Sequence, residues 1–283
     1  MRIGVTGPNG RLGSELVRRG CIPIKSNILS SGLGYELDSL NLDLIINCAA
    51  YTDVDLAEIN SNISKVSSVN ISGLALLNYE FSGRMIHIST DYVFDGVSGP
   101  YKENAAKNPL GVYGKSKSMG EDLLIDLEKN RLDYNKSIIV RTTVLYDEKT
   151  PNFVTKLLRQ LDEGTEVKVT KRISGTPTYI PHLVDGLLKL AKMMDDGFYT
   201  PIIHIAGKGV LTRYEFALSI ANMFGFDPTL VIPTIAIPGK AVRPLRAGLR
   251  TEYAQSLGIP VYSVFDGLKD LKRRVDASVD LPE

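Results

Sequence analysis

The sequence predicts an α/β protein in which a doubly wound, mostly parallel sheet is joined to a smaller C-terminal part. Three observations carry this. Short apolar runs alternate with stretches of helical periodicity along most of the chain, the pattern of strands and crossover helices. The chain opens on such a run, Arg2 to Thr6, followed at once by a glycine-rich turn and a helical stretch from Arg11 to Arg19. From Gly207 onward the alternation loosens, with a helix over Tyr214 to Phe224, a short strand at Leu230 to Ile232, and a Pro, Gly and Arg stretch from Pro233 to Arg250. The expected division is a first part over 1–145, with 178–206 returning to it, and a second part over 146–177 and 207–283.

The opening unit has a chemical reading. Gly7, Asn9, Gly10, Arg11, Leu12 and Gly13 form a turn between strand and helix, where backbone can approach a pyrophosphate without a Cβ in the way. The helix N-terminus then aims free N–H groups at the phosphates. Cys21 to Lys25 make the second strand, after which an NAD enzyme places an acidic residue on the ribose hydroxyls. Cys21 to Tyr35 contain none, whereas Lys25, Ser26, Ser30, Ser31 and Arg11 are available for a 2′-phosphate. NADPH is therefore favoured, with NADH possible. The link from here to Leu42 is short enough for about one helical turn.

Asp43 to Cys48 form the third strand, ending in Ala49, Ala50, Tyr51 and Thr52; small residues at the carboxyl end of a parallel strand leave room for a ligand. Helix follows over Val54 to Tyr79, interrupted around Asn60 to Ile63. Arg84 to Ile88 are the next strand, so the Ser89 and Thr90 hydroxyls emerge on the same edge as the glycine turn. Asp91 to Val112 read as a long loop of the kind that carries function. Beyond it lie a strand at Ser137 to Arg141, a helix at Asn152 to Leu161, a strand at Val167 to Thr170, a helix at Pro181 to Met194 and a strand at Ile202 to Ile205. A disordered tail is expected over the last ten residues.

Tyr113 and Lys117 stand four apart at the start of a helix that runs through Leu127, which puts both on one face, one turn apart. An ammonium held that close favours the phenolate and lowers the tyrosine pKa. Such a phenol can hand a proton to a carbonyl oxygen while hydride arrives at the carbon.

Composition removes other classes. Thirty-three basic against 32 acidic residues leave a net charge of +1, so no basic stripe argues for nucleic acid. Cys21 and Cys48 lack Cys-x-x-Cys spacing and read as buried thiols, which suits a reducing cytoplasm. No apolar run reaches the roughly 18 residues of a membrane span, and Met1 leads directly into a strand, without a leader segment. His87, His182 and His204 have no ligand spacing, and no metal site is expected.

Four features coincide in order: the glycine turn, NCAAYT, STDYVF and YGKSK. Together they resemble the extended short-chain dehydrogenase/reductase superfamily, and more closely the dTDP-4-dehydrorhamnose reductase family. NCAAYTDVDLAE, STDYVFDG, NPLGVYGKSKSMGE, RTTVLY, PNFV, GTPTY and RPLRAGLRTEY extend the similarity over nearly the whole chain. The resemblance implies a Rossmann core and a catalytic triad of Thr90, Tyr113 and Lys117, which reduces the C4 keto group of a nucleotide-linked 4-keto-6-deoxyhexose. Tyr113 would protonate the alkoxide, Thr90 would hydrogen-bond the same oxygen, and Lys117 would bind the nicotinamide ribose. It further implies Asn70 as a positioning group for the lysine or a relay water. Ala49, Ala50 and Tyr51 become cofactor contacts. Thr52, Val54, Tyr92, Asn152 and Thr176 become substrate contacts, and Arg243 a candidate for the diphosphate; for Tyr92, core packing is an equal alternative. A homodimer is the family expectation.

Departures from the family pattern are informative. Val144 in RTTVLY stands where the family has a tryptophan, and the chain contains no tryptophan. Glu15 is present, but the acidic partner some members use for a metal-bridged dimer is replaced near Pro181. The enzyme reading therefore stands beside two others: a catalytically silent relative resembling the regulatory β subunit of methionine adenosyltransferase, and a reductase or epimerase of another nucleotide sugar.

Overall fold

A computed structural model describes residues 1–129 and 137–277. In chain order the strands are β1 (Ile3–Thr6), β2 (Ile22–Pro23), β3 (Leu44–Asn47), β4 (Arg84–Thr90), β5 (Ser137–Thr142) and β6 (Leu145–Tyr146). They continue as β7 (Val167–Thr170), β8 (Ser174–Gly175), β9 (Thr178–Tyr179), β10 (Ile202–His204), β11 (Leu211–Thr212) and β12 (Val231–Thr234). The helices are α1 (Arg11–Arg18), α2 (Leu33–Leu40), α3 (Val54–Ala57), α4 (Asn60–Ser67), α5 (Gly73–Glu80) and α6 (Val112–Lys129). After these come α7 (Phe153–Asp162), α8 (Ile180–Asp195), α9 (Arg213–Phe224), α10 (Glu252–Ser256) and α11 (Val264–Ala277).

The central sheet has the order β10-β5-β4-β3-β1-β2, and every neighbouring pair in it is parallel. Alternation along the strands makes it doubly wound. Ile46, Ile86, Ile138 and Val140 meet Leu12 and Leu16 of α1 and Leu183 and Leu187 of α8 on one face. Ile45, Met85 and Ile139 meet Leu33 and Leu37 of α2, Leu74 and Leu77 of α5 and Leu124 of α6 on the other. The chain leaves β1 towards β2 and returns on the far side at β3, so the strand order reverses there, which is where open α/β sheets bind ligands.

A second core joins α7, α9 and α11 to the parallel pair β7 and β12 through Leu157, Leu161, Phe216, Ile220, Val231 and Leu268. Residues late in the chain contribute to both cores: Ala254 and Ile259 pack with the central sheet and Val264 with the second cluster.

Element boundaries differ from the expected ones in instructive ways. The link before β3 holds α2, a helix of 8 residues rather than a single turn. Gly32, Gly34 and Ser39 give this stretch poor helix propensity, and burial of Leu33 and Leu37 overrides it. The interruption expected at Asn60 to Ile63 falls earlier, between α3 and α4, where the Asn62 side-chain amide donates to the Leu56 carbonyl at 2.9 Å. A π-turn at Ser68–Ser72 separates α4 from α5. The strand Val167–Thr170 pairs with β12 in the second core. Within the expected tail, α11 continues to Ala277; 278–283 lie outside the described residues.

Candidate active site

A cavity of about 540 Å³ opens at the carboxyl edge of β1, β3, β4 and β5 and reaches the second core at Phe153, Arg213 and Phe216. The glycine turn forms its floor. Gly7 takes φ +62°, in the left-handed region, and a Cβ on Gly13 would run into the Gly7 carbonyl. Gly10 caps α1 without a side chain, so the first N–H groups of the helix have no side-chain partner there. Gly7, Gly10, Arg11, Leu12 and Gly13 line the cavity, whereas Asn9 is exposed and does not. The Arg11 guanidinium reaches across to donate to the Leu145 carbonyl at 3.1 Å.

At the opposite wall stand Thr90, at the end of β4, and Tyr113, in the first turn of α6. The Thr90 hydroxyl, which donates to Asp91 Oδ1 at 3.3 Å, acts to lower the pKa of Tyr113, but burial is the larger effect and the net shift is upward. The Tyr92 ring meets Tyr113 edge-on at 5.6 Å and lines the cavity. Thr90 is also held from below, its oxygen accepting from the Tyr92 N–H at 3.2 Å. Asp91, buried beside it, has its pKa raised by burial, against hydrogen bonds from Thr143 and Thr90.

Lys117 corrects the expectation drawn from its spacing. Its Nζ lies 2.7 Å from the Ile88 carbonyl, to which it donates, and 3.0 Å from His87 Nε2. The ammonium is not what sets the Tyr113 pKa, which is raised rather than lowered. Burial instead pushes the lysine itself down to about 8. Asn70 has partners other than the lysine. It sits in the π-turn with Oδ1 accepting from the Tyr51 N–H at 2.8 Å, and Nδ2 donating to the Tyr51 carbonyl at 3.2 Å and Ser116 Oγ at 2.8 Å. It fixes Tyr51 to α6 and makes no bond to Lys117.

Of the other expected contacts, Ala49, Ala50, Thr52, Val54 and Val144 line the cavity, and Tyr51 does not. Val144 adopts φ +48°, a strained conformation for a β-branched residue, its carbonyl accepting from the Thr178 N–H at 3.0 Å. Asn152 lines the cavity, but its side chain is spent as the N-cap of α7: it accepts from Val154 N–H at 2.8 Å and donates to the carbonyls of Asp147 and Thr150. Thr176 is buried outside the cavity, its hydroxyl accepting from the Leu249 N–H at 3.4 Å. Arg243 also lies outside the lining and is paired with Asp55 at 2.5 Å. Glu15 is bound by Arg18 and Lys149.

Lys25 and Ser26 sit beyond the end of β2, away from the cavity lining. Their backbone N–H groups donate to the Glu36 carboxylate at 2.8 and 2.7 Å. An acidic residue thus stands just beyond β2, brought from one residue past the stretch that lacks one. Sequence reasoning missed it because it missed α2. It also missed Arg213, at the start of α9, whose guanidinium lies 5.2 Å from the centre of the Phe153 ring on the cavity wall.

A glycine turn at the sheet's switch point, facing a Thr and Tyr pair with a buried Lys one turn on, defines an NAD(P)-dependent oxidoreductase of the extended short-chain dehydrogenase/reductase class. The chain belongs to the family described as RmlD substrate binding domain, whose model matches residues 1–276. It is 33% identical to a dTDP-4-dehydrorhamnose reductase of Aggregatibacter actinomycetemcomitans, over 96% of this chain and 98% of that protein. A crystal structure of a dTDP-4-dehydrorhamnose reductase from Clostridium acetobutylicum superposes with a TM-score of 0.84 at 29% identity, covering 98% of this chain and all of that one. The enzyme of that name from Bacillus anthracis, in complex with NADP, also gives 0.84 at 26% identity, covering 96% of this chain and 99% of that one.

Proposed function

We propose that the chain reduces the C4 keto group of a dTDP-linked 4-keto-6-deoxyhexose with NADPH, most specifically dTDP-4-dehydro-L-rhamnose to dTDP-L-rhamnose. The observation that carries this is the buried Tyr113 phenol beside Thr90 on the wall of a cavity whose floor is a glycine turn. The dinucleotide fits that turn because Gly7, Gly10 and Gly13 leave backbone and helix N–H groups open to a diphosphate. NADPH supplies the hydride when bound. Burial keeps Tyr113 protonated at neutral pH, so it is poised as the proton donor to the alkoxide oxygen. The Thr90 hydroxyl is placed to hydrogen-bond the same oxygen, where charge grows in the transition state. The second core, with Phe153, Arg213 and Phe216 facing the cavity, is the substrate-binding part of this reading. A cytoplasmic location and a homodimer belong to the same proposal, supported by the two free cysteines and the family resemblance.

The test is cofactor oxidation followed at the nicotinamide absorbance, with dTDP-4-keto-6-deoxyhexose generated in place together with its 3,5-epimerase. Turnover that requires the epimerised sugar is expected. Cofactor binding with no oxidation of NADPH by any nucleotide sugar would overturn the reductase reading in favour of the silent regulatory role.

A further inference from the structure

The cavity is unevenly charged. Arg11, Lys117 and Arg213 line it against a single carboxyl, that of Asp91, and burial raises the Asp91 pKa, which weakens it as a counter-ion. Two of these cations are already engaged. Lys117 donates to the Ile88 carbonyl at 2.7 Å, and Arg11, beside the glycine turn, donates to the Leu145 carbonyl at 3.1 Å. Arg213 differs from both. Among the described residues its guanidinium makes no hydrogen bond and no ion pair; it lies over the Phe153 ring, 5.2 Å from the ring centre.

The backbone fixes where this side chain starts. Arg213 is the first residue of α9, its N–H donates to the Ile173 carbonyl at 2.8 Å, and the Thr212–Glu215 capping box closes the helix end. The groups that face the guanidinium are Tyr92 and Asp91, which favour its charge, and Arg243, which opposes it. Asp91 takes its hydrogen bonds from Thr143 and Thr90, and Arg243 is paired with Asp55. None of the three bonds to Arg213. A charge sheltered from water without hydrogen bonds is unfavourable, and burial accordingly lowers the Arg213 pKa. A guanidinium stays protonated all the same, so its five N–H donors line the cavity without a protein acceptor.

We propose that Arg213 is a substrate-binding residue that takes the diphosphate of the nucleotide sugar, an assignment that rests on the reductase reading for the identity of the ligand. A ligand that fills the cavity displaces the water around the guanidinium and must supply acceptors in its place. Sugar hydroxyls could accept the hydrogen bonds but would leave the charge uncompensated, whereas a phosphate meets the guanidinium fork with two oxygens and with charge. The other diphosphate in the reaction, that of the cofactor, belongs at the glycine turn, while Arg213 stands on the second core with Phe153 and Phe216. Tyr92 links Arg213 to the reacting centre. Its ring meets Tyr113 edge-on at 5.6 Å, and its phenol is an electrostatic neighbour of Arg213. A carbonyl at Tyr113 and a phosphate at Arg213 are thus about one tyrosine side chain apart. C4 and the anomeric carbon lie across a pyranose ring from each other, so one hexose spans that gap.

The experiment needs no turnover. Calorimetric titration of dTDP and of thymidine into the full chain saturated with NADP⁺ should show dTDP binding far more tightly. Arg213→Met keeps an unbranched stem on Phe153 and should weaken dTDP by about 30-fold, roughly 2 kcal/mol, with thymidine and NADP⁺ little changed. Arg213→Lys, which keeps the charge and loses the fork, should fall between the two and carries the comparison if the Met variant does not fold. Equal dTDP affinity in parent and variants would overturn the assignment and leave the reductase reading standing. Equal losses for dTDP and thymidine would overturn it as well, because they would mark a damaged cavity and not a lost phosphate contact. A parent chain that binds no dTDP would remove the reductase reading itself, and this assignment with it.

Discussion

At the scale of single residues, Tyr113 has one task that no neighbour duplicates. Thr90 offers a hydrogen bond and Lys117 faces away towards His87, so in the proposed reaction the phenol is the proton donor. Tyr113→Phe removes that proton and little volume. It should lower kcat by about 10²-fold to 10⁴-fold, the range for general acid catalysis, with dinucleotide affinity nearly unchanged by fluorescence titration. An unaltered kcat would take Tyr113 out of the mechanism. Glu36 carries a second prediction. Its carboxylate, lowered below its ordinary pKa by hydrogen bonds from Ser26 and Lys25 despite partial burial, stands where a 2′-phosphate would meet like charge. Glu36→Gln should improve the KM for NADPH relative to NADH by about tenfold, on the order of 1.4 kcal/mol. An unchanged ratio of the two constants would place the 2′-phosphate elsewhere. Thr90 and the glycines are legible in the sequence because each sits at a strand end, and Tyr113 because it stands four residues before Lys117 at the start of a helix. Arg213 and the true partners of Lys117 are not, because they arrive through packing between segments far apart in the chain, and Glu36 is not because the helix that carries it has poor intrinsic propensity.

At the scale of elements, α6 is fastened to the sheet by a fully buried ion pair. Glu121 accepts from Arg141 of β5 at two oxygens, 2.9 and 2.7 Å, and from Ser89 of β4 at 2.6 Å. Periodicity makes α6 and β5 visible as elements, but it cannot tell which buried polar groups pair. The same limit explains Asn70: its place on a π-turn, where five residues span what four would in an α-helix, has no periodic signature. Removing one member of a buried pair leaves the other charge uncompensated, so Glu121→Leu should destabilise the chain by about 3–5 kcal/mol. Urea denaturation should detect this as a lower midpoint with an unchanged slope. The pH sign follows from the Glu121 pKa, which is lowered: burial raises it, but the Arg141 and Ser89 bonds lower it more. Its contribution is therefore complete above the unfolded value of about 4.5 and lost as pH falls below it towards the folded value. Wild type and variant should converge in stability as the medium is acidified, and a gap that stays constant down to pH 3 would show that Glu121 is not the charged partner.

At the scale of the whole molecule, two of the histidines tie the fold to neutral charge in its interior. His87 is buried beside Lys117 with a pKa held well below the ordinary value, chiefly by burial and then by that lysine. His204, on β10 against Arg141 and the Arg250 carbonyl, is pushed down to about 3, again by burial first and Arg141 second. In the unfolded chain both titrate near 6.5. Below that pH the unfolded state binds more protons than the folded one, so stability falls with pH, and for His204 it goes on falling until about 3. Each group costs about 1.4 kcal/mol per pH unit in that window, and the two together about 2–3. Urea titrations at pH 6 and pH 5 should differ by roughly 2–3 kcal/mol in unfolding free energy, before the carboxylates contribute much. His204→Gln should halve that slope even if it lowers stability at pH 7, since it removes one titrating group from the unfolded chain. A slope near zero between pH 6 and pH 5 in the parent chain would mean that these imidazoles take up protons in place.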